Sequence, residues 1–260
     1  GKMDYLYDKV ETYDKLKDVI RGKSSPDELT KIQDGMADIE HHMLHFLDNH
    51  DEQRLASPEF AGTPERGKPL MVVSATISTS PTMIYFGQEV GEAGNEDAGF
   101  GKRSRTSIFD YIGVPNHQRW MNDGKFDGGK LSNSERELRD FYKRLLNFTI
   151  KSSALMGSFE EIQSANRQNN EGYDALLYSY ARWSENQKLI VVANFSSEKG
   201  NEFNLKVPSS LISKWNLKDG EYQLKEQLYQ NKTFVLKVQN GEGVAKVSVQ
   251  PSESLILELK

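Results

Sequence analysis

A histidine, an aspartate and an arginine stand close together where a short apolar run ends. His50 and Asp51 are adjacent, Arg54 follows three residues later, and residues 43–47 before them are mostly apolar. A carboxylate beside an imidazole can hold vicinal hydroxyls, because the carboxylate accepts hydrogen bonds and the ring can donate them. The alternative is a structural loop that caps a helix, with Arg54 neutralising Asp51. The spacing alone leaves both interpretations open.

A second polar group, Gly87-Gln88-Glu89, follows the strand-like run at residues 82–86. In a parallel α/β barrel, functional side chains lie at the carboxyl ends of the strands and on the loops that follow. The two polar groups therefore predict one shared site. No comparable pair of further carboxylates precedes residue 48, so we expect most of a catalytic site to lie outside these 260 residues.

The elements that must position these groups alternate between helical and strand-like patterns. Apolar residues at helical spacing predict one helix over residues 5–21 and a second over residues 29–39. Ser25 and Glu28 predict a capping box at the start of the second helix. A third, buried helix is expected over residues 69–77. This alternation predicts parallel strands that are covered by helices.

Residues 91–130 form a long, Gly-rich and charged segment that also contains many aromatic residues. We expect a folded loop that lies over the strand ends, in which acidic residues such as Glu92 are solvated. Ser132 or Ser134 then predicts the start of a long helix that continues to about residue 156.

After residue 157 the apolar period changes from about 3.6 to about 2, the period of a strand. Turn residues separate seven expected strands, at residues 175–183, 188–195, 203–207, 222–228, 233–238, 244–249 and 255–259. This spacing predicts an antiparallel β-sandwich of about 100 residues. We therefore expect two domains, over residues 1–157 and 158–260.

Composition and charge argue against several kinds of partner. The formal charge of −5 argues against nucleic acid, because phosphate binding needs a basic face. The chain has no cysteine, which excludes disulfides. No apolar stretch reaches the roughly 18 residues of a membrane span, so no membrane partner is expected. His41 and His45 have the spacing of a helical metal pair, but no glutamate completes a zinc motif, so no metal site is expected.

Three segments resemble the α-amylase family of glycoside hydrolases. Residues 46–51 (Phe-Leu-Asp-Asn-His-Asp) are similar to the segment at that family's seventh barrel strand, and residues 83–89 (Met-Ile-Tyr-Phe-Gly-Gln-Glu) to its eighth. Residues 3–5 resemble the end of its sixth strand. The resemblance covers essentially the whole chain. It implies a partial (β/α)8 TIM barrel, about strands six to eight with their helices, followed by an antiparallel Greek-key β-sandwich.

The resemblance also implies roles for particular residues. Asp51 matches the family's third catalytic carboxylate, which holds sugar hydroxyls and stabilises the oxocarbenium-like transition state. His50 matches the histidine that helps to bind the same sugar. Asn49, Arg54 and Glu89 lie near strand ends and are further candidate sugar ligands, although each is also consistent with a structural role. For Arg54 the alternative is an ion pair that holds its own loop.

The nucleophile and the general acid of that family follow strands four and five, and no segment of this chain matches them. Retaining glycosidases need both groups, so the chain by itself is expected to be inactive. The family often binds calcium, but mainly through upstream segments, so no calcium ligand can be assigned here. The resemblance implies a parent protein that acts on α-1,4-glucans such as starch and maltooligosaccharides, as a hydrolase or a transglycosylase.

Two alternatives to a catalytic role stay open. The chain could be a non-catalytic carbohydrate-binding or interaction module. It could also be a half-barrel that assembles with its own N-terminal half or with a second copy, because unpaired strand edges and apolar surface favour association. Trp120, Tyr111 and Phe126 could stack on sugar rings or pack onto the barrel. The compartment stays open, with an exported or periplasmic bacterial protein as one alternative.

Overall fold

Three chain segments lie side by side in parallel in the computed structural model, which describes residues 3–96 and 104–260. Strand β1 (Leu6–Tyr7) pairs with β2 (Met43–Leu44), and His45 forms a parallel bridge to Thr82. The predicted parallel order is confirmed, but the regular strands are shorter than expected. Within the described residues β1 has a hydrogen-bonded neighbour on one side only, so few backbone hydrogen bonds are available to extend the strand. Residues 97–103 of the expected long loop lie outside the described residues.

Short helices connect the parallel segments, with a π-helical turn at Lys9–Tyr13, α1 at Asp14–Ile20, α2 at Glu28–Gly35 and α3 at Pro64–Thr76. The helix expected over residues 5–21 begins later than predicted, because Leu6 and Tyr7 pair with β2. Of the apolar positions expected to form its buried stripe, Tyr13, Leu16 and Ile20 are buried, whereas Leu6 and Val10 are exposed.

Two expectations about helix starts are wrong. The capping box at Ser25 does not form, because Asp27 is the N-cap of α2 and Ser25 Oγ instead accepts a hydrogen bond from the Asp27 amide. Helix α3 begins at Pro64, where the side chain of Thr63 caps the first turn. Pro69, the expected start, lies inside this helix and is buried. The cap at Thr63, six residues before Pro69, therefore sets the start of α3.

Between the third segment and residue 157, the regular elements of the described residues are helical: a 3₁₀ turn at Gln88–Val90, α4 at Pro115–Met121, α5 at Asn133–Lys151 and a 3₁₀ turn at Ser153–Met156. The predicted start of α5 is confirmed, because Ser132 is its N-cap and forms a capping box with Glu135. One face of α5 buries Leu138, Phe141 and Leu145 in the core. No helix within the described ranges is both long and apolar enough to cross a membrane.

Eight antiparallel strands form one hydrogen-bonded sheet in the order β3-β4-β5-β10-β7-β8-β9-β6. The elements of this part are β3 (Ser158–Glu161), α6 (Gln163–Arg167), β4 (Leu177–Trp183), β5 (Lys188–Asn194), β6 (Asn201–Val207), α7 (Ser209–Lys214), β7 (Gly220–Glu226), β8 (Thr233–Gln239), β9 (Glu242–Val249) and β10 (Ser254–Leu259). All seven predicted strands are present. Strand β3 was missed, because its sequence Ser-Phe-Glu-Glu shows no apolar alternation.

The sheet folds over so that its two halves enclose one apolar interior, formed by residues that include Leu177, Ile190, Leu257, Leu205, Leu236 and Val247. The first three come from β4, β5 and β10, and the last three from β6, β8 and β9. Strands β7, β8 and β9 follow one another as neighbours, and β6 lies beside β9, which is a Greek-key order. The expected fold class, a partial barrel followed by an antiparallel Greek-key sandwich, is confirmed.

The outer face of β4 packs against the helical part of the chain. The hydroxyl of Tyr180 lies 2.6 Å from Thr76 Oγ1 on α3, and that of Tyr178 lies 3.0 Å from Thr30 Oγ1 on α2. Residues of both parts belong to one apolar cluster. The division into domains at residue 157 therefore stays a prediction.

A fully buried arginine of β4 joins the two parts. The guanidinium of Arg182 donates to the carbonyl oxygens of Ile77 and Leu155 at 2.6 Å each, and to that of Gly157 at 3.2 Å. These carbonyls end α3 and the turn that precedes the sheet. Since a buried carbonyl without a donor is costly, one side chain here satisfies the backbone of both parts.

We expect Arg182→Met to lower the free energy of unfolding by about 3 kcal/mol, because the buried carbonyls of Ile77, Leu155 and Gly157 would lose their charged donor. Urea denaturation followed by circular dichroism measures this change. Arg136→Met, on the exposed face of α5, is the matched control and should change stability little. Equal stabilities of the two variants would contradict the proposed role of Arg182.

Candidate functional site

The carboxyl ends of the three parallel segments lie at one end of the structure and carry the candidate residues. Asp8 follows β1, residues 48–54 follow β2, and Glu89 lies after the third segment. The later part of the chain returns to this end, where the Ser104 carbonyl accepts a hydrogen bond of 2.7 Å from the Arg54 amide. The structure thus brings the two predicted polar groups to the same end of the parallel segments.

Asp51 and His50 form an exposed pair at this end. Oδ2 of Asp51 lies 3.3 Å from Nε2 of His50, and 74% and 47% of the two side chains are exposed. The buried side chain of Asn49 shapes the loop, because its Oδ1 accepts hydrogen bonds from the amides of Asp51 at 2.9 Å and Glu52 at 2.8 Å. Carboxylate oxygens and a ring nitrogen are therefore accessible side by side, an arrangement that suits neighbouring hydroxyls.

Arg54 lies behind this loop, in the interior. Its Nη1 donates to Asp48 Oδ2 at 3.1 Å and to the Phe86 carbonyl at 2.8 Å, and its Nε donates to Thr106 Oγ1 at 2.9 Å. The side chain is fully buried. The interpretation that Arg54 neutralises Asp51 is wrong, because its ion-pair partner is Asp48. Direct contact between Arg54 and a sugar stays a prediction.

Asp48 is the buried carboxylate at the centre of this network. Burial raises the pKa of its carboxyl group to about 6, and the Arg54 guanidinium and the Leu55 amide oppose this rise. Its Oδ1 accepts a hydrogen bond from the Leu55 amide. Asp48 was not among the predicted site residues. The available signal was its position as the first charged residue after an apolar run, where a strand end meets a loop.

A second buried pair, Asp8 and His45, was also missed. Asp8 Oδ2 lies 3.3 Å from His45 Nε2, and both side chains are almost fully buried. His45 Nδ1 lies 2.7 Å from the Ser74 carbonyl, where it must donate, so Nε2 can donate to Asp8 only in the doubly protonated ring. Burial raises the pKa of Asp8, but hydrogen bonds from His45 and Thr12 outweigh it and the net shift is downward. The i, i+4 spacing of Asp8 and Thr12 was the available signal.

The histidines do not gather around a metal position. The rings of His41 and His42 lie 4.0 Å apart between centroids and are exposed, whereas His45 is buried against Asp8. Within residues 3–96 and 104–260 no three potential metal-binding side chains of the His, Cys, Asp and Glu types come together. Calcium binding by a longer parent protein stays a prediction.

The polar residues after the third segment differ in exposure. Gln88 is buried, and so is Glu92, contrary to the expectation of solvated charge. Glu92 Oε2 accepts hydrogen bonds from the amides of Asn116 at 2.9 Å and His117 at 3.3 Å, which fixes the start of α4. Glu89 is half-buried and lies near His117. Burial lowers the pKa of the His117 imidazole, and the charge of Glu89 partly offsets this decrease. A sugar contact by Glu89 stays a prediction.

Aromatic rings in the segment after residue 104 form a group around Trp120, in which Phe126 is 56% exposed, and a separate exposed pair. Trp120 stacks on His117 with 5.6 Å between ring centroids, and Phe126 lies 5.8 Å from Trp120. Phe109 and Tyr111 stack on each other at 5.5 Å and are 51% and 65% exposed. Exposed aromatic faces suit apolar ligand surfaces such as the C–H faces of sugars. The exposed pair is therefore a further candidate contact.

The raised pKa of Asp48 predicts how stability depends on pH. Between the ordinary value of 3.8 and the folded value of about 6, the folded state binds more protons than the unfolded state. Stability supplied by this group is therefore lost as the pH rises through that window. As the pH rises through this window, the free energy of unfolding of the wild type should fall by up to about 3 kcal/mol relative to that of Asp48→Asn, whose side chain cannot titrate.

Urea denaturation of both proteins at several pH values across this window measures the difference. Using the difference removes the contribution of carboxyl groups that both proteins share. A difference that instead rises with pH would show that Arg54 lowers the pKa of Asp48, and would contradict the prediction.

Comparison with known proteins supports the fold through structure alone. No protein-family model and no curated protein matches the sequence. Among solved structures, a maltogenic α-amylase from Thermotoga neapolitana has 20% identity and a TM-score of 0.64, with 99% of this chain and 51% of that chain covered. An α-amylase from Anoxybacillus has 17% identity and a TM-score of 0.65, with 99% and 47% covered.

The structure of AmyP in complex with maltotriose is similar to the same degree, with 18% identity, a TM-score of 0.65, and 99% of this chain and 50% of that chain covered. The chain thus spans about half the length of each of these three proteins. The chain has the fold of about half of an α-amylase structure, a part of the barrel followed by the β-sandwich.

Proposed function

We propose that this chain forms one wall of a site that binds and processes α-1,4-glucans. The observation that carries the proposal is the exposed His50–Asp51 pair, held by buried residues where the carboxyl ends of three parallel segments meet. The similar structures include a maltogenic α-amylase and a complex of AmyP with maltotriose, which supports a glucan as the ligand.

In this proposal Asp51 and His50 act on the same sugar ring. The carboxylate of Asp51 accepts hydrogen bonds from neighbouring hydroxyls and stabilises the positive charge that develops on the ring in an oxocarbenium-like transition state. His50 donates to a hydroxyl beside it. Asn49 positions the pair through its hydrogen bonds to the loop amides, and Glu89 lies at the rim as a further sugar contact.

Other groups must supply the bond-breaking chemistry. A retaining glycosidase needs a nucleophilic carboxylate and an acid that flank the scissile bond. At this end of the described residues, Asp48 and Glu92 are buried and bound to protein groups, so neither can approach a sugar. We therefore propose that further barrel strands carry the nucleophile and the acid, in a longer form of the chain or in a partner.

The edge beside β1 is where such strands would join. Tyr5, Leu6 and Tyr7 are 50% to 54% exposed, although they belong to or adjoin a strand. An exposed apolar strand edge offers unpaired backbone groups and apolar surface to another strand. Added parallel strands would cover this edge and place their own carboxyl ends beside Asp51.

Sugar binding tests the role of Asp51. We expect Asp51→Asn to weaken the binding of maltoheptaose at this end about tenfold, because charge-assisted hydrogen bonds to hydroxyls become neutral ones. Isothermal titration calorimetry with the full chain measures the affinity. Asp38→Asn, which makes the same charge change on an exposed residue elsewhere, is the control. Equal affinities of the two variants would contradict the proposal.

Turnover tests whether the chain is catalytically complete. We expect no maltooligosaccharide hydrolysis by the isolated chain, because the carboxylate of Asp51 cannot act both as nucleophile and as acid. Chromatography of the products from incubated maltoheptaose detects cleavage. Cleavage that disappears in Asp51→Asn would show that the chain holds a complete catalytic site.

A further inference from the structure

Four of the five residues 108–112 are large, apolar and exposed: Ile108, Phe109, Tyr111 and Ile112. Phe109 and Tyr111 stack on each other, with 5.5 Å between the ring centroids and 27° between the ring planes. More than half of each of these two side chains is in contact with water. Contiguous exposed apolar groups, unlike single ones, mark interaction sites. We call Phe109 and Tyr111 the aromatic platform.

Buried residues hold both ends of the segment that carries the platform. Before it, the buried hydroxyl of Thr106 accepts a hydrogen bond of 2.9 Å from Arg54 Nε. The next residue, Ser107, is also buried, and its Oγ accepts a hydrogen bond of 3.0 Å from the Phe109 amide. After it, Val114 is fully buried directly before α4. The backbone is therefore fixed before a ligand arrives, which lowers the entropy cost of binding.

The contact that holds the platform also holds the loop with the His50–Asp51 pair. Arg54 follows Asp51 by three residues, and its partner Thr106 precedes Phe109 by three residues. A stretch of three residues spans at most about 11 Å. The platform and Asp51 thus lie within a short stretch of chain of the same buried contact.

A series of half-buried rings connects the surroundings of Asp51 with the platform. Burial raises the pKa of the Tyr85 hydroxyl and the charge of Asp51 adds to this rise, so the two groups are near each other. The ring of Tyr85 lies 4.6 Å from that of Phe86, which lies 4.9 Å from the ring of His117. Burial lowers the pKa of His117, and the charge of Asp110, the residue between the two platform rings, partly offsets this decrease. The platform is therefore continuous with the candidate site.

The platform and Asp110 together match the two kinds of surface that a sugar presents. The C–H faces of a sugar pack against aromatic rings, and its hydroxyls can donate to the exposed carboxylate of Asp110. Aromatic side chains have only two side-chain torsions, so they lose little conformational entropy when they are covered. Because a series of three rings lies between Asp51 and the platform, a ligand that contacts both must extend beyond the sugar at Asp51.

We propose that the aromatic platform determines the length of glucan that the site prefers, by stacking on a sugar several units away from the one at Asp51. This inference rests on the proposed function and makes Phe109 and Tyr111 specificity-determining residues. A long oligosaccharide gains affinity, because binding at Asp51 raises the local concentration of its other end at the platform. A disaccharide at Asp51 gains nothing from the platform.

Isothermal titration calorimetry of the full chain with maltoheptaose and with maltose tests this proposal. We expect Phe109→Ala/Tyr111→Ala to weaken maltoheptaose binding about tenfold, because the stacking contact is lost, and to leave maltose binding within about twofold. Both side chains are exposed, so folding should be retained. Phe109→Tyr/Tyr111→Phe keeps both rings and should keep the wild-type affinity for maltoheptaose.

A matched control removes two exposed apolar side chains elsewhere. Ile39→Ala/Val235→Ala should bind both sugars as the wild type does. In contrast, Asp51→Asn should weaken the binding of both sugars, because it acts on the ring that they share. An effect on maltoheptaose that is confined to the platform variant supports the platform and counts against the role of Asp51.

The remaining outcomes overturn the inference. Unchanged maltoheptaose affinity in the platform variant, with weakened affinity in Asp51→Asn, overturns the platform and leaves the proposed function standing. An equal loss for maltose and maltoheptaose in the platform variant shows that the platform does not select length. If sedimentation shows that the wild type self-associates and the platform variant does not, the platform is a contact between copies. No maltoheptaose binding by the wild type at about 10 mM, where millimolar affinities are detected, overturns both proposals.

Discussion

The buried ion pair of Asp48 and Arg54 holds three separate stretches of chain together where the parallel segments end. Asp48 belongs to the loop after β2, while Arg54 binds the Phe86 carbonyl at the end of the third segment and the Thr106 hydroxyl farther along the chain. Removing one charge of a buried pair is strongly destabilising, because the other stays buried without a partner. The course of the loop between the two residues, with its exposed His50 and Asp51, therefore depends on this pair.

The β-sandwich supports this loop through contacts with α3. Strands of two residues are too short to be stable alone, so the parallel segments need support from their neighbours. Tyr180 and Arg182 of the sheet bind Thr76 and the Ile77 carbonyl at the end of α3. One turn earlier, the Ser74 carbonyl of the same helix holds His45, directly after β2. A continuous series of polar contacts thus links the outer face of β4 to the strand that carries the candidate site.

The sequence predicts features that depend on local pattern, and it misses features that depend on tertiary contact. The seven alternating strands and the Ser132 capping box are local, and both are present. The capping box at Ser25 and the helix start at Pro69 were also local predictions, but α2 begins after Asp27 without a side-chain cap, and α3 begins after the capping residue Thr63. The pairing of Asp8 with His45 and of Glu92 with the start of α4 joins residues 24 or more positions apart. Spacing along the chain does not reveal such partners.

The buried Asp48–Arg54 ion pair and the buried contact between Asp8 and His45 are better explained by positioning than by stability. Apolar residues of similar size often stabilise an interior as well as a buried ion pair does, because they avoid the cost of desolvating two charges. In this chain the contact between Asp8 and His45 lies at the end of β2, and the Asp48–Arg54 pair flanks the loop with the exposed His50–Asp51 pair. A site that discriminates a transition state needs its polar groups held in place before the ligand arrives, by surroundings that do not reorganise. Directional hydrogen bonds to buried charges fix a loop in one geometry, whereas apolar contacts would allow several. We infer that the loop geometry, and through it the orientation of Asp51, is what these buried charges maintain.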